Sequence, residues 1–157
     1  MITTTILAIV ESFLATLAYA VLFNVPKQYY TACGITGMAG WLLYLAMCQV
    51  TTVALASFVG TLAVVLISRI FTVRKKCPIT IFLVSGIIPL VPGAGIYYTA
   101  YYLVTGQMSL AAVKGLEAVK IAFAIVLGII FVVSIPRDAF QIRYWRAKRK
   151  RKRLKNH

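Results

Sequence analysis

Ile88-Pro89-Leu90-Val91-Pro92-Gly93 lies inside an apolar run that extends from Ile79 to Val104. The chain's other prolines, Pro26, Pro78 and Pro136, sit at the edges of apolar runs; Pro89 and Pro92 do not. A proline within a helix removes one N–H donor and crowds the carbonyl four residues back, here those of Ser85 and Ile88. Gly93 and Gly95 follow at once and relax the backbone further. Pro89 is ten residues beyond Ile79, about 15 Å along a helix, which is half of an apolar layer about 30 Å thick. Backbone groups freed at that depth are tolerated only where they face protein or a water-filled cavity. A span interrupted near its middle points to a transporter's binding site. The competing reading is a plain proline kink in a packed helix.

The remainder of the chain has the composition this reading requires. Of 157 residues, 61% are hydrophobic, and the mean hydropathy is +0.89. These values indicate an all-α integral membrane protein. The net charge of +14 could suggest nucleic acid, but its placement argues otherwise. Ten of the 17 Lys and Arg lie between Arg137 and Lys155, and four between Arg69 and Lys76. Positive charge flanking apolar spans sets membrane orientation. Cys33, Cys48 and Cys77 form no metal or redox motif, and Cys33 and Cys48, about 22 Å apart on one helix, cannot pair within the chain. The single His is the last residue, His157. No metal or cofactor is expected, and a membrane enzyme is the weakest reading, because no paired carboxylates or Cys-His set accompanies the spans.

Five spans are expected, at about residues 5–23, 32–48, 51–71, 79–104 (the interrupted one) and 112–135, in one transmembrane domain over 1–136 with a basic cytoplasmic tail over 137–157. The first is read as a retained span, since its apolar run continues past Ala18-Tyr19-Ala20 through Val25. The second is short. With the tail and the Arg69–Lys76 loop both cytoplasmic, the N-terminus and the turn at Gln107 face outward. The tail suits anionic lipid, and nucleic acid is not expected.

The Phe23-Asn24-Val25-Pro26 end of span one, then basic residues and Pro78, and then Ile88-Pro89-Leu90-Val91-Pro92-Gly93 with Tyr97 four residues on, resemble the threonine/serine exporter family. The resemblance covers about residues 6–135, and its specific part is the Pro-Leu-Val-Pro-Gly block with its tyrosine. The short length matches the family's split form. It implies a small five-span subunit in a bacterial cell membrane, working with a larger membrane subunit. Threonine and serine follow from the family, and succinate-like dicarboxylates from the split form.

Pro89, Pro92, Gly93 and Gly95 are the first candidates for a substrate site. A helix restarting after Gly93 presents N-terminal amides suited to a carboxylate. Tyr97 is the side chain expected to touch substrate, with Ser85 and Thr99 as polar liners; an aromatic belt is the other reading of the tyrosines. Glu11, inside span one, and Glu117 are proton-coupling candidates. Against this, Glu11 could reach water or bond a neighbouring helix, and Glu117 could pair locally with Lys114 or Lys120. Two intramembrane carboxylates are too few for a complete substrate path. The second half must come from the larger subunit or from another copy. The alternative function is a non-transporting membrane scaffold, which requires intact helices with no midplane break.

Overall fold

The computed structural model describes residues 2–135, with the side chains of residues 2–6 left aside. The basic tail and its expected lipid contact lie outside the described residues. Among the described residues all regular structure is helical. The helices are α1 Ile2–Leu22, α2 Tyr30–Cys48, α3 Val53–Lys75, α4 Thr80–Ile87, α5 Gly93–Val104 and α6 Met108–Val133, with single 3-10 turns at Lys27–Tyr29 and Ile88–Leu90. Three helices are long and apolar enough to cross a membrane: residues 27–48, α3 and α6. The pair Thr80–Leu90 and Gly93–Val104 makes a fourth when taken as one broken span. The expected fifth, α1, has a shorter apolar part, Leu7–Leu22.

Local chemistry explains where the helices stop. Asn24 takes a left-handed conformation (φ 54°), which Asn tolerates better than most residues. This lets the Val25 N–H donate to the Ala20 carbonyl at 3.0 Å and the Asn24 N–H to that of Val21 at 2.9 Å, a left-handed cap that satisfies the last carbonyls of α1. Gly106 (φ 75°) does the same for α5, with Gln107 N–H donating to Tyr102 at 2.9 Å. The second span starts earlier than its apolar run suggests, because Pro26 is followed directly by the 3-10 turn that leads into α2.

Helix α2 is central: it packs on α1, α3, α4 and the turn Ile88–Leu90, while α6 packs on α3 and α5. Glycines set the closest approach. A Cβ on Gly60 would lie 3.0 Å from the Gly40 carbonyl oxygen, and one on Gly40 would run into Val64 Cγ2. Gly128 of α6 meets Thr61 and the Phe58 carbonyl in the same way. Small residues at such crossings let backbones approach, the usual source of helix adhesion in lipid. Six buried hydroxyls are satisfied within their own helices. Thr16, Thr36, Ser57, Thr61, Ser68 and Ser85 each donate to the carbonyl four residues back, at 2.7–2.9 Å, as hydroxyls within helices do.

Arg69 differs from its sequence reading as part of a loop-flanking basic cluster. Helix α3 continues through Lys75, and Arg69 is buried, only 8% exposed. Its guanidinium donates to the Val133 carbonyl at 2.6 Å and to the Ile135 carbonyl. It closes the C-terminal end of α6, where the helix dipole favours a cation.

Two outcomes test this packing. Arg69→Gln should lower the stability of the purified protein by about 1–3 kcal/mol, the cost of leaving such buried carbonyls without charge-assisted partners, read as a lower melting midpoint in detergent. Gly40→Leu should cost about 1–3 kcal/mol through overpacking, whereas Gly93→Ala, where an added Cβ meets nothing within 4 Å, should leave the midpoint unchanged.

Candidate functional site

The interrupted span resolves into α4, one 3-10 turn and α5, with a 51° bend between its halves. Val91 is extended (φ −64°, ψ 134°) and Pro92 non-helical (φ −76°, ψ 59°). The eleven residues Thr80–Leu90 put the break about 16–18 Å from the basic end of the bundle, near mid-height. Because Pro89 has no N–H, the Ser85 carbonyl lacks its helical donor. The Ile88 carbonyl, freed by Pro92, accepts instead from Val91 N–H at 3.1 Å.

The break is firmly seated on one side. Leu90, 4% exposed, packs with Val64, Ile121 and Ile125, beneath Trp41 and Tyr44, whose rings stack at 5.0 Å. Neither aromatic was singled out from the sequence. Their i, i+3 spacing on the glycine-rich α2 is the signal that was there to be read. On the other side the break is open. Gly93 and Ala94 are exposed, and α5 contains no buried residue. The Gly93 N–H turns back to the Val91 carbonyl at 2.7 Å, and the Ile96 N–H reaches the Pro92 carbonyl at 3.1 Å. The amides of Ala94 and Gly95, in the first turn of α5, have no backbone acceptor among the described residues, as expected of the first N–H groups of a helix. The start of α5 is therefore an open donor site with a positive dipole end at membrane mid-height.

The candidate side chains divide between faces. Tyr97, 64% exposed, projects from α5 on the side away from α6 and stacks with Tyr101 at 6.5 Å. It shares the open side with Gly93 and Ala94. Four residues beyond Gly93, it lies only about 6 Å above the break, deeper than an interfacial aromatic belt. Thr99 lies on the α6 side instead: its methyl is 3.2 Å from the Cβ position of Gly115, and its hydroxyl donates to the Gly95 carbonyl at 2.7 Å. Gly95 packs against Ala118 on that same side. Ser85 is 1% exposed and donates to Ile81 and Phe82 carbonyls inside the bundle. The structure thus brings together Pro92, Gly93 and Tyr97, and leaves Ser85 and Thr99 facing protein.

Neither acidic candidate hydrogen-bonds to the break among the described residues. Glu11 is exposed on α1. Glu117 accepts from Lys114 Nζ at 3.0 Å, both side chains nearly half exposed, a local pair of small energetic weight. An open groove of about 720 Å³ lies elsewhere, at the basic end between α3 and α6, lined by Phe58, Leu127, Ile130, Phe131, Ser134 and Ile135. Its nearly uniform apolar lining does not suit a charged metabolite. Among the described residues no cluster of three or more His, Cys, Asp or Glu could hold a metal ion.

A family model described as "Threonine/Serine exporter, ThrE" matches residues 8–135, which takes in the whole interrupted span. Comparison with curated proteins and with solved structures finds no match.

Proposed function

This chain belongs to the threonine/serine exporter family, and we propose that it is the small membrane subunit of a two-component exporter of small carboxylate-bearing metabolites. Threonine and serine come first as substrates, and succinate-like dicarboxylates second. Membership in a transporter family points to a non-enzyme. The observation that carries the reading is the 51° break, whose unpaired amides and Tyr97 open to one side of the bundle. A substrate carboxylate accepts from the Ala94 and Gly95 amides, where the dipole of α5 favours negative charge. The Tyr97 hydroxyl supplies a further donor or acceptor. Leu90 holds the break against α3 and α6, so the bend at Val91–Pro92 is a fixed feature on which the substrate site is built.

A donor site open to hydrocarbon is unfavourable, so in this reading the larger subunit forms its second wall. Loss of that wall removes the site, which makes both chains necessary. The coupling proton fits better on groups of the larger subunit than on Glu11 or Glu117, since neither hydrogen-bonds to the break among the described residues and Glu117 is held by Lys114. In this reading the membrane is the bacterial plasma membrane, as the family resemblance implies, and the basic clusters support an N-terminus outside and a cytoplasmic C-terminus.

Efflux from cells loaded with threonine, serine or succinate tests the proposal, using this chain alone, the larger subunit alone, and both together. Efflux should need both chains. Pro92→Ala or Gly93→Leu, at unchanged membrane levels, should reduce it at least about tenfold, equivalent to about 1.4 kcal/mol. Efflux from this chain alone would contradict the two-component reading. Full efflux with both altered breaks would contradict the assignment of the site.

A further inference from the structure

The groove between α3 and α6 does not suit a charged metabolite, but it is not uniform along its length. Its deep end lies at Leu127 and Phe58, since the Phe58 carbonyl approaches the neighbouring Gly128. Its shallow end lies at Ser134 and Ile135, where α6 stops. Leu127 and Ile135 are about 12 Å apart along a helix axis. Ser134 is the only polar residue in the lining. The groove is therefore wholly apolar where it is deep and carries a hydroxyl where it opens toward the basic end. Its volume of about 720 Å³ falls within the range of about 300–1,000 Å³ usual for small-molecule sites.

Cations stand just beyond the shallow end. Arg69 donates to the Val133 and Ile135 carbonyls, so the end of α6 is near the level of Arg69. Arg74, Lys75 and Lys76 follow five to seven residues later on α3 and at its C-cap, and all three are exposed. They lie about 8–10 Å beyond the groove. Among the described residues no carboxylate offsets them. Glu117 pairs with Lys114 in the first half of α6, and Glu11 precedes the end of α1 by eleven residues, about 16 Å into the bundle. The groove and its surroundings thus follow one sequence outward along α3: hydrocarbon lining, one hydroxyl, then positive charge without a negative partner in the described chain.

We infer that this groove is a binding site for one anionic phospholipid, with an acyl chain along Phe58, Leu127 and Phe131 and the phosphate among Arg74, Lys75 and Lys76. The ester linkage lies at the level of Ser134. That order of polarity is the order of groups along such a lipid, and basic residues beside a crevice between membrane helices are a recurrent headgroup site. A zwitterionic lipid has the same chain and phosphate but brings its own cation to the basic trio. Free phosphate would satisfy the trio and leave the groove unfilled. An apolar helix of another protein would fill the groove and leave the trio without counter-charge. The site is separate from the start of α5, and it rests on neither the identity of the substrate nor the presence of a larger subunit.

The test uses the full-length chain with Trp41→Phe and Trp145→Phe and one new tryptophan, reconstituted in phosphatidylcholine vesicles. Phe131→Trp probes the groove, with Leu127→Trp as a second probe of it. Leu14→Trp, on the exposed face of α1, reports the lipid preference elsewhere on the chain. Phosphatidylglycerol or phosphatidylcholine with brominated acyl chains is mixed in, and bromine quenches a tryptophan that it touches. At the groove probes the anionic lipid should bind at least about fivefold more tightly than the zwitterionic one; at Leu14→Trp the two should agree within about twofold. Replacing Arg74, Lys75 and Lys76 together by Gln should abolish the preference at the groove. Inorganic phosphate at matched ionic strength should leave it unchanged. Equal quenching by the two lipids at the groove probes, or quenching by neither because protein fills the groove, would overturn the inference. So would a preference that survives loss of the three cations or one that phosphate removes.

Discussion

A backbone in hydrocarbon must satisfy its own polar groups, and the span from Thr80 to Val104 does not do so by itself. Two prolines within four residues remove donors where α4 should continue, and α5 begins with amides that have no acceptor. The rest of the bundle accommodates that interruption. The closely packed α2 and α3 form a rigid wall, and Leu90 seats the turn in it, against Val64, Ile121 and Ile125. Helix α5 turns 51° away from the preceding half of its span and is held through α6, by Gly95 on Ala118 and Thr99 on Gly115. Arg69 in turn fixes the far end of α6 to α3. The interruption is therefore supported from behind and open in front.

Much of the architecture is legible in the sequence, because span composition and proline placement are local properties. The apolar runs locate the helices, and Pro89, Pro92 and Gly93 locate the break. Which face a residue presents is a different kind of property, decided by packing partners distant in sequence. Tyr97 and Thr99, two positions apart on α5, both read as candidate liners; Gly115 and Ala118 of α6 draw Thr99 inward and leave Tyr97 open. Ser85 reads as a midplane hydroxyl near the break, yet contact with α2 buries it on the opposite side. Arg69 shows the same limit for charge. Four basic residues in eight positions read as a topology signal, and only the length of α3 and the end of α6 reveal that the first of them is a buried clamp.

The distribution of polar groups has a functional consequence. Among the described residues, the interior is occupied mainly by hydroxyls that bond their own helices. Among the described residues the Thr72 hydroxyl is buried without a partner, and other unpaired polar groups lie on the surface: the first amides of α5, the Tyr97 hydroxyl, Glu11 and Lys120. A soluble protein could leave such groups to water, but a membrane protein has to cover them with other protein or with a wet cavity. In the proposed reading this placement ties transport to assembly, with a second chain forming the other wall of the substrate site.

The most direct measurement of the central claim is the reaction rate of a thiol at Ala94, introduced as Ala94→Cys in a chain with its three native cysteines replaced, assembled in membranes with the larger subunit. The account predicts that a small water-soluble thiol reagent modifies it and that saturating threonine, serine or succinate slows the modification. A thiol that no such reagent reaches, or one whose reactivity none of these substrates changes, would contradict the claim that the start of α5 is the substrate site.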